Sequence, residues 1–130
     1  MKTSILIAFA VMTVPALSHA ERRIGGSFEQ VTHDCRRDPV VEIASSLNQV
    51  TLVGACKSVR VSGNLNQVTV EHAAALVVAG DENQVRVTAT DSIHASGGRN
   101  DIAYRRAVTP KTEPRISSPG PHNVITKQTD

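Results

Sequence analysis

The sequence predicts an all-β fold: a small parallel two-sheet β-solenoid of about five to six coils, each 17–18 residues long. Three observations predict it. Asn48-Gln49-Val50-Thr51-Leu52 recurs as Asn66-Gln67-Val68-Thr69-Val70, Asn83-Gln84-Val85-Arg86-Val87 and Asn100-Asp101-Ile102-Ala103-Tyr104. The four Asn residues are 18, 17 and 17 positions apart, and self-similarity at a fixed short period marks a repeat architecture. Within each copy β-branched residues alternate with polar ones, the period-2 signature of strands, and no 3.6 period competes with it. An antiparallel β-sandwich would show the same alternation, but it would not require identical residues at equivalent positions, as stacked coils do.

The chain has 130 residues, enough for one domain. Its first twenty residues read as a secretory leader. Lys2 gives a positive start, Ile5 to Leu17 is apolar but for Thr13, and Ser18-His19-Ala20 sets small residues at −3 and −1. The apolar run is shorter than the about 20 residues that a membrane span needs. Export with cleavage after Ala20 is therefore expected, to the periplasm or the medium, with no membrane span. The organisation expected is a leader over 1–20 and one repeat domain over 21–130, with regular coils about 28–107 and an irregular C-terminal cap 108–130.

The first coil opens with Glu29-Gln30-Val31-Thr32, where Glu stands in the Asn slot. Between the Asn-headed segments lies a second family: Val41-Glu42-Ile43, Val59-Arg60-Val61, Leu76-Val77-Val78, Ile93-His94-Ala95 and Ile116-Ser117-Ser118. Each coil thus holds two short strands, one per sheet, with Val50, Val68, Val85 and Ile102 inward on one and Val41, Val59, Leu76, Ile93 and Ile116 inward on the other. Parallel stacking at about 4.8 Å gives a rod roughly 25 to 30 Å long. The last copy, Asn123-Val124-Ile125-Thr126, follows an insertion over 109–114. Corners need residues that tolerate left-handed backbone, and Asn and Gly do so most readily. Asn48, Asn66, Asn83, Asn100 and Asn123 are therefore expected as a structural corner ladder, hydrogen-bonded from coil to coil.

Two Cys in an exported chain read as a disulfide. Cys35 and Cys56 each follow a Gln-Val-Thr strand, so stacking brings them together. Their spacing is not that of a redox or metal pair. The mature His residues, 33, 72, 94 and 122, do not pair at ligand spacing, and no metal or cofactor is expected. Glu42, Glu71, Asp81, Glu82, Asp91 and Asp101 fall at corners or outward positions, with no second carboxylate set across a cleft. No nucleophile elbow or phosphate loop is readable.

The (Gly/Ser)-x-x-Asn-x-Val-x-Val units, with a Cys ahead of the second rung, resemble domain of unknown function family 3060, small exported bacterial repeat proteins. The resemblance rests on Asn48, Asn66, Asn83 and Asn100 with their following Val or Ile residues, and extends over roughly 28–126. It implies no activity, cofactor or catalytic residue.

The formal net charge is +2, and Phe9, Phe28 and Tyr104 are the only aromatic residues. A chain without a basic stripe or stacking rings does not suit nucleic acid. The function expected is a non-catalytic structural or protein-interaction module of the bacterial cell envelope, with a protein or glycan partner. Surface contacts are expected at the N-terminal coil through Arg22, Arg23 and Phe28. The alternative is a carbohydrate or envelope-polymer binding module using Thr51, Thr69 and Arg86 on a flat sheet face. Thr32, Thr51 and Thr69 are followed by Arg86 and Ala103 in the same outward column, too broken a Thr array for ice binding.

Overall fold

A computed structural model describes residues 21–129. The expected leader, 1–20, lies outside the described residues. Nine strands follow in order: β1 (Glu21–Ile24), β2 (Gln30–Asp34), β3 (Val40–Ile43), β4 (Gln49–Val61), β5 (Gln67–Val78), β6 (Gln84–Ala95), β7 (Asp101–Arg106), β8 (Arg115–Ser117) and β9 (Val124–Lys127). All eight pairings are parallel. The fold is a β-solenoid.

The two strands expected per coil are fused in the middle of the molecule. β4, β5 and β6 each run 12 or 13 residues and serve both faces. The front half of β4 pairs with β2 and its rear half with β3. One face therefore stacks β2, β4, β5, β6, β7 and β9, and the other stacks β1, β3, β4, β5, β6 and β8. Register is residue-for-residue with the repeat: Gln30, Gln49, Gln67, Gln84, Asp101 and Val124 form one column.

Alternation puts one side of each face inward. Val41, Val59, Leu76 and Ile93 from one face meet Val50, Val68, Val85 and Ile102 from the other, all fully buried. This aliphatic stack is the core, and Tyr104 is its one ring. Ile116 keeps the register expected of it, opposite Ile93, yet is 45% exposed. It sits on the last rung, where no other described residue covers it.

Two boundaries differ from expectation. Regular pairing is already present ahead of residue 28, since β1 pairs with β3 in register from Glu21, the first described residue. The cap over 108–130 is not irregular throughout. It contains β8 and β9, which form a complete last rung, and only the excursion between β7 and β8 leaves the pattern. Asp91 holds that excursion, accepting from the Thr109 N–H at 2.9 Å and from its hydroxyl at 3.0 Å. The Thr109 backbone N–H in particular pulls the Asp91 carboxyl below the usual carboxylate range.

Candidate functional site

The two corners of each coil position everything on the surface. At the first corner the Asn residues stack as a buried ladder. The Asn66 N–H donates to Asn83 Oδ1 at 3.0 Å, and the Asn83 N–H to Asn100 Oδ1 at 2.9 Å. From Asn66 onward the carboxamide nitrogen reaches back to the coil below: Asn83 Nδ2 to the Gly63 carbonyl and Asn100 Nδ2 to the Gly80 carbonyl, both at 2.8 Å. Asn123 continues this at the last rung, donating to the Gly97 carbonyl at 2.7 Å. The ladder thus satisfies backbone groups that the turn would otherwise bury unpaired.

The left-handed backbone is not on the Asn residues, as the sequence reading had it, but on the residue before each. Phe28, Leu47, Leu65, Glu82, Arg99 and His122 have φ between 55° and 62°. Asn is needed at the next position for its carboxamide. A glycine column completes the corner. A Cβ on Gly63 would stand 1.7 Å from the Ser45 carbonyl oxygen, and one on Gly80 equally close to that of Gly63. The coils pack there through bare backbone.

The left-handed column is a ridge on the outside of the molecule, and its first three members are large and apolar. Phe28 is 80% exposed, Leu47 44% and Leu65 49%. They sit on consecutive rungs, about 4.8 Å apart. The next rungs carry Glu82 and Arg99, whose charged groups approach to 3.8 Å. Leu47 and Leu65 were not singled out by sequence reasoning. The available signal was a large apolar residue directly before the corner Asn, among Ser, Gly and Asn.

The second corner is heterogeneous. Cys35 and Cys56 form the disulfide, with Cα atoms 4.9 Å apart, between the first rung and the second. Ala73 and Thr90 continue that column, both fully buried. Carboxylates bind the outer backbone: Glu71 accepts from the Gly54 N–H at 2.6 Å and Asp34 from the Arg36 N–H at 3.0 Å. The Arg36 guanidinium, also on Asp34, and that backbone bond hold the Asp34 carboxyl down to about 2.

Among the remaining expected surface residues, Thr51, Thr69 and Arg86 fall in one outward column. With Gln49, Gln67 and Gln84 they line a groove running across the strands. Arg23 points outward, 3.9 Å from Glu42. Arg22, in register with the inward Val41 but on the first described rung, is exposed as well. The carboxylates noted in the sequence are dispersed over the rungs, and several hold backbone: Asp81 Oδ1 accepts from the Gly98 N–H at 2.7 Å. Among the described residues no three His, Cys, Asp or Glu side chains converge on a metal-sized site. The described residues form no helix, and so none long and apolar enough to cross a membrane.

Residues 43–98 match the family described as "Protein of unknown function (DUF3060)". The match covers the three central rungs, and this segment resembles that family. No curated protein and no solved structure matches the chain.

Proposed function

We propose that the protein is an exported, non-catalytic interaction module of the bacterial cell envelope, periplasmic or secreted, which docks a protein partner on the ridge formed by Phe28, Leu47 and Leu65. The leader pattern over 1–20 and the Cys35–Cys56 disulfide support an oxidising destination.

The ridge carries the reading. A left-handed conformation costs a non-glycine residue roughly 1–2 kcal/mol, least for Asn. Exposing a large apolar side chain forgoes its burial. Three successive rungs accept both costs, while Glu82 and Arg99 show that polar residues fit the same turn. Folding alone does not ask for Phe, Leu and Leu there. A rigid row of apolar anchors rimmed by Ser and Asn is what a protein partner buries.

The test is cross-linking capture from an envelope fraction, comparing the exported, oxidised chain with Phe28→Asn, Leu47→Asn and Leu65→Asn together. Asn suits the left-handed turn, so the scaffold is preserved. A saturable protein partner lost in the triple variant supports docking on the ridge; equal capture by both forms, or none by either, refutes it.

One observation favours a second reading. Thr51, Thr69 and Arg86 line a groove with three Gln side chains at coil spacing, which suits hydrogen bonding to an extended carbohydrate or other envelope polymer. Under that reading Arg86→Glu abolishes polymer retention, and the ridge variant leaves it intact.

A further inference from the structure

The ends of the rod are complementary to one another. Across the interior, every rung bonds the next with one fixed polarity. The Gln49 N–H donates back to the Glu29 carbonyl, and Gln67, Gln84, Asp101 and Val124 repeat this toward Asn48, Asn66, Asn83 and Asn100. In the other direction each Asn N–H donates forward to the next Asn Oδ1. At the last rung, the Asn123 N–H finds no acceptor among the described residues, and its carbonyl no donor. At the first rung, the Gln30 N–H faces the open side with no acceptor among the described residues. Glu29 occupies the Asn slot there, its carboxylate lying over Gly26. A carboxylate accepts what a ladder Asn Oδ1 accepts, and no donor among the described residues reaches it.

We propose that the chain stacks head to tail on second copies of itself, the β8–β9 rung of one seated on the β1–β2 rung of the next. The stacked register follows by extending each column one step. Asn123 meets Glu29, Val124 meets Gln30, Ile125 meets Val31 and Thr126 meets Thr32. On the other face Arg115 meets Glu21, an opposite-charge pair directly across the join. Ile116, Val124 and Ile125 gain the cover they lack. Gly26 lies in the column of Gly63, Gly80, Gly97 and Gly120, where each glycine sits on the carbonyl of the coil below. Among the described residues no coil lies below Gly26; in the stack it rests on Gly120.

One residue opposes the contact. Arg22 stands in an inward column and faces Ile116 across the join, so its guanidinium must reach round to water. Charges at inward positions are a known restraint on strand edges. The association is accordingly weak and reversible, and it does not close: a heterologous contact repeats into a filament unless a rotation closes it.

The test is sedimentation and light scattering of the exported, oxidised chain over micromolar to millimolar concentration. The expected result is mass rising with concentration without a closed end point. Arg115→Glu weakens association about 3- to 10-fold, and adding Glu21→Arg in the same chain restores it. Thr32→Pro removes an N–H that faces the open end, by alternation from Gln30, and weakens it about tenfold or more. Arg22→Val strengthens it by about tenfold. The ridge variant leaves it unchanged, so this inference and the docking reading fail separately. A monomer at every concentration, a closed dimer, or association indifferent to both Arg115→Glu and Thr32→Pro overturns the proposal. Circular dichroism of each variant separates a lost contact from a lost fold, and rescue by the charge swap cannot come from misfolding.

Discussion

The two corners of the solenoid turn the same chain through the same coil by opposite means. At the first, the four rungs from Gly63 to Asn123 repeat one solution: a left-handed residue, then a ladder carboxamide, with a glycine pressed on the carbonyl beneath. At the second, each rung differs. Gly54 is left-handed with φ 79°, the β4–β5 register shifts between Leu52 and Ala55, and the inner column reads Cys56, Ala73, Thr90. The first corner has no room for variation because backbone touches backbone. The second is spaced by side chains, so different side chains fill it. Specification is concentrated where contact is closest.

Substitutions that break the first corner should therefore cost far more than those at the second. Gly80→Ala is the most severe. Its Cβ would stand 1.7 Å from the Gly63 carbonyl oxygen, and the coils must separate. A loss of about 3–5 kcal/mol is expected in chemical denaturation, with failure to fold at the extreme. Asn83→Ala follows, at about 3 kcal/mol, because it strands the Asn66 N–H and the Gly63 carbonyl in the interior.

Removing the disulfide with Cys35→Ser plus Cys56→Ser is expected to cost about 3 kcal/mol in the chain-entropy account for a separation of 21 residues. It should loosen the first rung before the rest, which hydrogen exchange resolves by rung. Thr90→Val should cost only about 1 kcal/mol. It loses one bond to the Ser92 carbonyl and keeps the volume of the side chain. A Thr90→Val loss equal to that of Asn83→Ala would erase the contrast between the corners.

The smallest expected effect is acid sensitivity at the second corner. Asp34 is held near 2 against an ordinary 3.8, so its ionised form is favoured by folding. Its contribution is complete above the unfolded value and is lost as pH falls through the folded one. Protection of the Arg36 amide, taken against its intrinsic exchange rate, should fall between about pH 4 and pH 2, while the Asn ladder, which has no ionisable group from Asn48 to Asn123, keeps its protection.

The same contrast explains what the sequence made legible. The Asn column, the inward aliphatics and the parallel stacking follow from residues repeated at fixed spacing, and the disulfide follows from stacking two Cys-bearing coils. The fused strands were not legible, because the bend between Leu52 and Val59 carries no proline and no glycine run to signal a break. The left-handed residue was assigned to Asn on propensity, but the hydrogen-bond demand on the carboxamide outweighs that preference and moves the turn one residue back. Leu47 and Leu65 were masked for the same reason: at a corner an apolar residue is invisible to a search for alternation. Arg22 is exposed, and only the pairing of β1 with β3 places it in the column of the inward Val41.

The docking reading stands or falls on whether Phe28, Leu47 and Leu65 serve a partner or serve the fold. Thermal unfolding of the Phe28→Asn, Leu47→Asn, Leu65→Asn variant answers this directly, with no partner in hand. Relief of three strained left-handed residues should leave the unfolding temperature unchanged or raise it. A fall of several degrees would show that these side chains are held for packing, and would contradict the assignment of the ridge as a binding surface.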